Sequence, residues 1–155
     1  AALIPWAHRA GARVVLNLAP VYAIDPDVLA SVDVLVVNES EAELVLGRPA
    51  PASSAEAVRA AEDLRALGIP EVLVTLGGAG AAYASRTGSA HLNAVGDGPV
   101  VDTTGAGDAA VGCLAAALAA GHSFEDSVGW GMRAGGAAVG AKGAAPSYAG
   151  IEPIA

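Results

Sequence analysis

The sequence predicts an α/β fold of three layers (α/β/α), in which helices cover both faces of a mostly parallel central sheet. Strand-like and helix-like segments alternate along the 155 residues, which is the pattern of such folds. Two strand-like runs, at 34–37 and 72–74, are apolar throughout, as strands buried on both faces are. We therefore interpret 1–155 as a single α/β domain with ligands at the carboxyl ends of its strands.

In the first half of the chain, glycines mark the ends of the predicted helices. A glycine can adopt the left-handed conformation that ends a helix. In chain order the predicted elements are a helix at 3–10, a strand at 13–18, a strand with a short helix within 33–47, and an amphipathic helix at 53–67. The helices end at Gly11, Gly47 and Gly68, and Ser53 or Ser54 can cap the last one.

The second half combines short strands with two longer helices. Its predicted elements are strands at 72–76, 81–85 and 91–95, helices at 106–120 and 123–139, and a final loop at 141–150. Three polar turns follow predicted strands, at 38–41, 75–80 and 102–108. Since ligands bind at the carboxyl ends of parallel strands, these turns are the candidate functional segments.

Composition excludes several classes of protein. The chain has 8 Lys and Arg against 16 Asp and Glu, a net charge of −8, which disfavours nucleic acid as a partner. It contains no uninterrupted apolar run long enough to span a membrane. The single cysteine, Cys113, excludes an internal disulfide, and the absence of a signal-peptide pattern predicts a cytoplasmic location. A small phosphorylated ligand remains compatible with this composition, because backbone amides can bind it.

The only methionine is Met132, so we do not expect Ala1 to be the natural translation start. We expect the sequence to be part of a longer protein. The trimming of a few terminal residues is the alternative.

The stretch "VVDTTGAGDAAVG" (100–112) carries the clearest chemical pattern. With Thr104 as N-cap, Gly105, Ala106 and Gly107 take the first helical positions, where amides lack an intrahelical acceptor and favour an anion. Asp108 then lies one position beyond the capping-box site, so its carboxylate is free. An anion site beside a carboxylate suits phosphoryl transfer to a hydroxyl, in which Asp108 takes the proton.

Two other interpretations of this stretch remain open. An acidic residue near a helix N-terminus commonly stabilises the helix and does nothing else. The spacing Gly105-x-Gly107-x-x-Ala110, with Glu125 further on, also matches a dinucleotide-binding fingerprint. That fingerprint belongs to the first strand–helix turn of its fold, and here only one helix pair follows.

Five short motifs, in order, resemble the PfkB/ribokinase family of carbohydrate kinases over nearly the whole chain. "DTTGAGDA" (102–109) resembles the second signature of the family, and "VTLGGAGA" (74–81) its glycine-loop nucleotide site. "NLAP" (17–20) resembles a ribokinase strand end, "NESEAE" (38–43) the N-x-x-E motif, and "KGAAPS" (142–147) the closing loop. The resemblance implies a ribokinase-like fold and the nucleotide-binding, catalytic C-terminal part of an ATP-dependent sugar kinase.

The same resemblance implies roles for individual residues. Asp108 would be the base that activates the sugar hydroxyl, and Gly105, Ala106 and Gly107 would form the anion hole. The implied ATP contacts are Asn38, Thr75, Leu76, Gly77, Gly78, Ala79, Gly80, Gly107 and, near the adenine, Met132. Glu41 would organise Mg²⁺ through water, and K⁺ would be held by Asp102, Thr104, Ala138, Ala141, Gly143 and Ser147.

The resemblance also implies what lies outside this chain. The N-terminal half of the family carries most sugar-binding residues and a small β-sheet lid that often forms a dimer interface, so the full-length protein is expected to be a homodimer. Ribose is the first expected substrate, with fructose, a ketodeoxy-sugar acid or a nucleoside as alternatives. A non-catalytic nucleotide-binding module is the second functional hypothesis, and a dinucleotide-dependent oxidoreductase domain the third.

Overall fold

A computed structural model describes residues 3–22, 24–96, 98–148 and 151 of the chain. The described residues form two compact units. One contains the residues up to Gly77 together with Ala81–His91, and the other contains Gly78–Gly80 together with the residues from Leu92 onward. The single domain expected over 1–155 stays a prediction, and each unit is described by itself.

The first unit is built around the sheet. Its helices are α1 (Leu3–Arg9), α2 (Pro26–Leu29), α3 (Glu39–Leu46) and α4 (Ser54–Ala66), and the strands are β1 (Val15–Asn17), β2 (Val34–Asn38), β3 (Glu71–Thr75), β4 (Ala81–Ala84) and β5 (Ser89–Leu92). The strand order is β1-β2-β3-β4-β5. β1, β2 and β3 are parallel, whereas β4 is antiparallel to β3, so the sheet is mostly parallel as predicted.

The central strands explain why the sequence is apolar without alternation. Leu35, Val37, Val72 and Val74 are at most 1% exposed and pack in the core on one face of the sheet, where α4 adds Leu64. Side chains that point to the opposite face, Val34, Val36 and Leu73, are equally buried. Strands buried on both faces are typical of parallel sheets.

Local caps set the helix boundaries of this unit. Ser53 is the N-cap of α4, and its hydroxyl accepts a hydrogen bond from the amide of Glu56. Gly47 ends α3 in the left-handed conformation, with a φ of 65°. These are the boundaries that the capping residues predicted, because a cap depends on residues within one turn of the helix end.

The second unit contains the two long helices α5 (Ala106–Ala119) and α6 (Phe124–Ala138), and the short helix α7 (Ala144–Ser147). Glycines bring α5 and α6 close together. A Cβ atom at Gly131 would lie 2.8 Å from the carbonyl oxygen of Ala110, and one at Gly135 would lie 3.2 Å from that of Ala106. The helix that carries Asp108 is therefore placed by direct contact with the backbone of α6.

Several elements differ from the sequence-based expectation. α2 was not predicted, and β1 covers Val15–Asn17 where a strand at 13–18 was expected. β5 begins at Ser89 because the amide of Ser85 bonds the carbonyl of Gly88 and closes the hairpin turn earlier than predicted. The segment 144–147, expected to be loop, forms α7. α5 has Gly105 as its N-cap where Thr104 was predicted, for reasons given below. None of the helices among the described residues is long and apolar enough to cross a membrane.

Candidate active site

In the first unit, parallel pairing brings two predicted nucleotide contacts together. Asn38 and Thr75 are Cα partners at the carboxyl ends of β2 and β3. The Thr75 hydroxyl donates a 3.4 Å hydrogen bond to the carbonyl oxygen of Val37, which ties the two strand ends. Both side chains are partly exposed, so this edge of the sheet presents polar groups to a ligand.

Asn38 and Glu41 form a reciprocal capping box at the start of α3. The Glu41 amide donates to Asn38 Oδ1 at 2.8 Å, and the Asn38 amide donates to Glu41 Oε2 at 2.7 Å. The side-chain nitrogen of Asn38 (Nδ2) and Oε1 of Glu41 have no partner among the described residues. No group of three or more His, Cys, Asp or Glu able to hold a metal occurs among the residues that the structure describes. The role of Glu41 near Mg²⁺ stays a prediction.

The glycine loop follows β3 as a single 3₁₀ turn over Gly77–Ala79. The loop backbone is exposed, and Cβ atoms at Gly77 or Gly78 would meet nothing within 4 Å. Gly80 is different, since a Cβ there would lie 2.0 Å from the carbonyl oxygen of Leu92. Leu76, predicted as a nucleotide contact, is 8% exposed and packs in the core of the first unit, so its side chain faces away from solvent.

In the second unit, the predicted anion-binding turn exists, but its register differs by one residue. Gly105 is the N-cap of α5 with a φ of 84°, a left-handed conformation that favours glycine. The prediction of Thr104 as N-cap is wrong, because the left-handed φ of Gly105 keeps that residue out of the helix. The Thr104 amide donates a hydrogen bond to the Asp102 carboxylate. The Ala106 amide donates to the carbonyl of Thr103 at 3.2 Å, so it closes the turn. Within the described ranges, the amides of Gly105, Gly107 and Asp108 have no acceptor.

This register places Asp108 at the third position of α5, where the positive end of the helix dipole stabilises a carboxylate. The side chain is exposed, and none of the described residues donates a hydrogen bond to it or pairs with it. No reciprocal capping box forms, because the glycine N-cap has no side chain to complete one. The carboxylate of Asp108 is thus free, as expected. The reason differs, because Asp108 occupies the capping-box position itself and the glycine N-cap offers it no side chain.

Asp102 joins the turn to the loop after α6. Its Oδ1 accepts a hydrogen bond from the Thr104 amide and its Oδ2 from the Gly143 amide, each at 2.9 Å. The amide and hydroxyl of Thr104, together with the Gly143 amide, hold the pKa of the Asp102 carboxyl below its ordinary value. The carboxylate therefore keeps its negative charge at neutral pH.

The remaining predicted ligands of the second unit lie around that link. Ser147 is 2% exposed, and its hydroxyl donates to the carbonyl of Ala144 at 2.6 Å. Ala138, at the end of α6, is fully buried, and Ala141 is partly exposed in the following loop. Met132 is 9% exposed within α6, so little of its thioether is open to an adenine ring. The roles assigned to these residues stay predictions.

The sequence did not indicate a role for Tyr148. Its hydroxyl donates to the carbonyl oxygen of Gly105 at 3.3 Å, across 43 residues of sequence. The same hydroxyl would lie 2.6 Å from a Cβ at Gly105, so it approaches the turn closely. No local pattern could have indicated this contact, because it depends on how the loop after α6 folds back.

The fold and the site define an α/β protein with polar strand ends and, at a helix N-terminus, open amides beside a free carboxylate. A model of the "pfkB family carbohydrate kinase" matches residues 2–149, and the chain belongs to this family. The dinucleotide-binding interpretation finds no support. The described residues between β5 and α5, 93–96 and 98–105, form no strand, whereas that fingerprint follows a strand directly.

Ribokinases are among the most similar relatives. The chain is 35% identical to ribokinase of Haemophilus influenzae over 141 residues, covering 91% of the chain and 45% of that protein. The structure of Arabidopsis thaliana ribokinase complexed with ribose and ATP matches with a TM-score of 0.84 at 31% identity. The match covers 94% of this chain and 47% of the Arabidopsis chain. The crystal structure of Thermotoga maritima ribokinase matches with a TM-score of 0.79 at 30% identity. That match covers 94% of this chain and 48% of the Thermotoga chain.

These matches confirm the predicted family and the three-layer α/β/α fold class. The chain spans about half the length of the relatives it matches.

Proposed function

We propose that this chain is the nucleotide-binding and catalytic part of an ATP-dependent sugar kinase. The observation that carries the proposal is the first turn of α5, where the free Asp108 carboxylate lies beside the unbonded amides of Gly107 and Asp108. Membership of a family of carbohydrate kinases supports it. The alternative is a nucleotide-binding module without catalysis, which the half-length match to the relatives favours.

In the proposed reaction, Asp108 accepts the proton of a sugar hydroxyl as that oxygen attacks the γ-phosphorus of ATP. The new bond joins the sugar oxygen to the phosphorus, and the bond to the β-phosphate oxygen breaks, releasing ADP. The charge on the transferred group lies against the amides of Gly107 and Asp108 and the positive end of the α5 dipole. Gly105 serves this site by its open amide and its left-handed turn, and Ala106 by closing that turn.

The ATP itself is proposed to bind along the glycine loop. The exposed backbone of Gly77, Gly78 and Ala79 leaves room for a close approach, and the left-handed Gly80 ends the loop. Asn38 and Thr75 would contribute polar groups from the strand ends. Met132 is nearly buried and Leu76 faces the core of the first unit, so neither is proposed to make a polar contact with ATP.

Two cations are proposed on the chemistry of the oxygen donors. Mg²⁺ prefers oxygen ligands and keeps several waters, so the second carboxylate oxygen of Glu41 suits a contact through water. K⁺ would be held by the ionised Asp102, with oxygens of Thr104, Ala138, Ala141, Gly143 and Ser147 completing the set. Such cations supply positive charge that offsets the negative charge of the phosphates and of the reacting group.

The proposed acceptor is ribose, because ribokinases are prominent among the relatives, and one of their structures contains ribose and ATP. Fructose, a ketodeoxy-sugar acid and a nucleoside are the alternative acceptors. The complete protein is proposed to act in the cytoplasm as a homodimer.

The substitution Asp108→Asn in the complete protein tests the catalytic assignment. We expect kcat to fall by about 10²–10⁴-fold, the usual contribution of a general base, while ATP binding is largely kept. Steady-state kinetics and calorimetry with ATP measure the two effects. Asp27→Asn, which changes an exposed aspartate in the first turn of α2, is the control and should leave both unchanged. Near-normal turnover of the Asp108→Asn protein would remove Asp108 from its role.

Exchange of the monovalent cation tests the K⁺ proposal. Replacing K⁺ with tetramethylammonium at constant ionic strength should lower turnover, because that cation cannot accept close contacts from several oxygens. Equal rates in the two salts would contradict a K⁺ site.

A further inference from the structure

We propose that Tyr148 is a positioning residue for the anion-binding turn, fixing the first turn of α5 through a hydrogen bond to Gly105. The inference rests on the proposed function for its catalytic meaning, although the contact itself is a feature of the second unit. Neither the motifs of the sequence nor the assigned site residues include Tyr148.

The bonded atom is the one from which the helix starts. The carbonyl oxygen of Gly105 accepts the first hydrogen bond of α5, from the Ala109 amide at 2.8 Å. The Tyr148 hydroxyl donates to the same oxygen at 3.3 Å and so uses its second lone pair. The orientation of this peptide group determines where the next amides point, including those of Gly107 and Asp108.

The ring of Tyr148 is itself held in place. It is half-buried and packs against a small apolar cluster that contains Ala109 of α5 together with Ala134 and Ala138 of α6. A phenol anchored on both helices gives its hydroxyl little freedom. The bond to Gly105 therefore constrains the turn rather than following it.

A second connection acts in parallel. The Asp102 carboxylate bonds the Thr104 amide on the turn and the Gly143 amide on the loop that leads to Tyr148. The turn and the loop are thus joined at two points, through the Asp102 carboxylate and through the carbonyl oxygen of Gly105. This double attachment holds the open amides in a defined position before any ligand binds, which is what electrostatic stabilisation of a transferred group requires.

The test is Tyr148→Phe in the complete protein, with Tyr22→Phe as the matched control at an exposed tyrosine. The change keeps the ring and removes one hydrogen bond. We expect kcat to fall about 3- to 10-fold at 25 °C, the factor that one hydrogen bond commonly contributes, with the KM for ATP within about twofold. Hydrogen–deuterium exchange of the bonded amides of Ala106 and Ala109 should accelerate by a similar factor, while exchange in the middle of α5 is unchanged.

The two readouts separate this inference from the proposed function. Unchanged kcat and unchanged exchange in Tyr148→Phe would overturn the positioning role in an active enzyme. A fall in kcat with no local change in exchange would overturn it too, because the hydroxyl would then act elsewhere. If the wild-type protein phosphorylates no sugar, the proposed function fails, and exchange alone decides whether Tyr148 holds the turn.

Discussion

At the scale of single residues, Asp102 is a charged group that also connects two segments of the chain through hydrogen bonds. Both carboxylate oxygens accept backbone amides, from Thr104 and Gly143. Hydrogen bonds to the charged form of a carboxyl lower its pKa, and they link two segments that lie 41 residues apart. Asp102 is therefore expected to matter for stability even in the absence of K⁺.

The pH dependence of unfolding should reveal this contribution. A carboxyl whose pKa is lowered in the folded state stabilises that state above its unfolded pKa, and this stabilisation disappears as the pH falls through the folded value. At pH 5–7 we expect Asp102→Asn to unfold at lower denaturant than wild type, and the gap to narrow below about pH 4. Asp27→Asn is the control. A gap independent of pH down to complete acid unfolding would contradict the ionic role.

At the scale of elements, the packing of α5 on α6 depends on which glycines face the partner helix. Gly131 lies against the carbonyl of Ala110, whereas a Cβ at Gly129 of the same helix would meet nothing within 4 Å. A glycine in a helix that makes no close contact lowers stability relative to alanine, while one at a close contact is required by its neighbour. The two positions should therefore respond to alanine in opposite directions.

Equilibrium unfolding in urea measures that difference. Gly129→Ala should raise the free energy of unfolding by about 0.5–1 kcal/mol, through helix propensity. Gly131→Ala should lower it by about 1–3 kcal/mol, because the new methyl group forces the two backbones apart. Equal shifts of the two variants would show that the close contact at Ala110 is absent in solution.

At the scale of the whole molecule, the extent of the match to the relatives bears most directly on function. The match to ribokinase from Haemophilus influenzae includes 91% of this chain but only 45% of that ribokinase. The proposed nucleotide and phosphoryl-transfer residues lie within it, whereas the resemblance puts most sugar-binding residues in the other half of the family's proteins. We therefore expect nucleotide binding and sugar phosphorylation to separate experimentally.

Comparison of the 155-residue chain with the complete protein tests this separation. We expect the complete protein to release ADP with ribose in a coupled assay across a panel of sugars and nucleosides. The isolated chain should bind ATP and ADP in calorimetry, with NAD as the negative control, and show no turnover. Tighter binding of NAD than of ATP would contradict the nucleotide assignment, and equal turnover by the chain alone would contradict the need for further segments.

The predictions that came from the sequence are those that depend on short-range physics. Apolar runs without alternation predicted β2 and β3 as buried parallel strands, and Ser53, Gly47 and Gly68 marked helix ends within a residue or two. Motif content and order predicted the family, which the comparisons confirm. The free carboxylate of Asp108 followed from spacing near a helix start, although the assumed N-cap was one residue too early.

Tertiary structure decided what depends on contacts between distant segments. Gly105, and not Thr104, is the N-cap because its backbone is left-handed rather than helical. Tyr148 and Ala144 also leave no space for a side chain at position 105. The open amides are those of Gly105, Gly107 and Asp108, while the Ala106 amide closes the turn. Caps and periodicities are set by neighbours within one helical turn, so a sequence displays them. Contacts between residues more than forty positions apart, such as Gly105 and Tyr148, depend on how the loops pack in the folded chain, so a sequence does not display them.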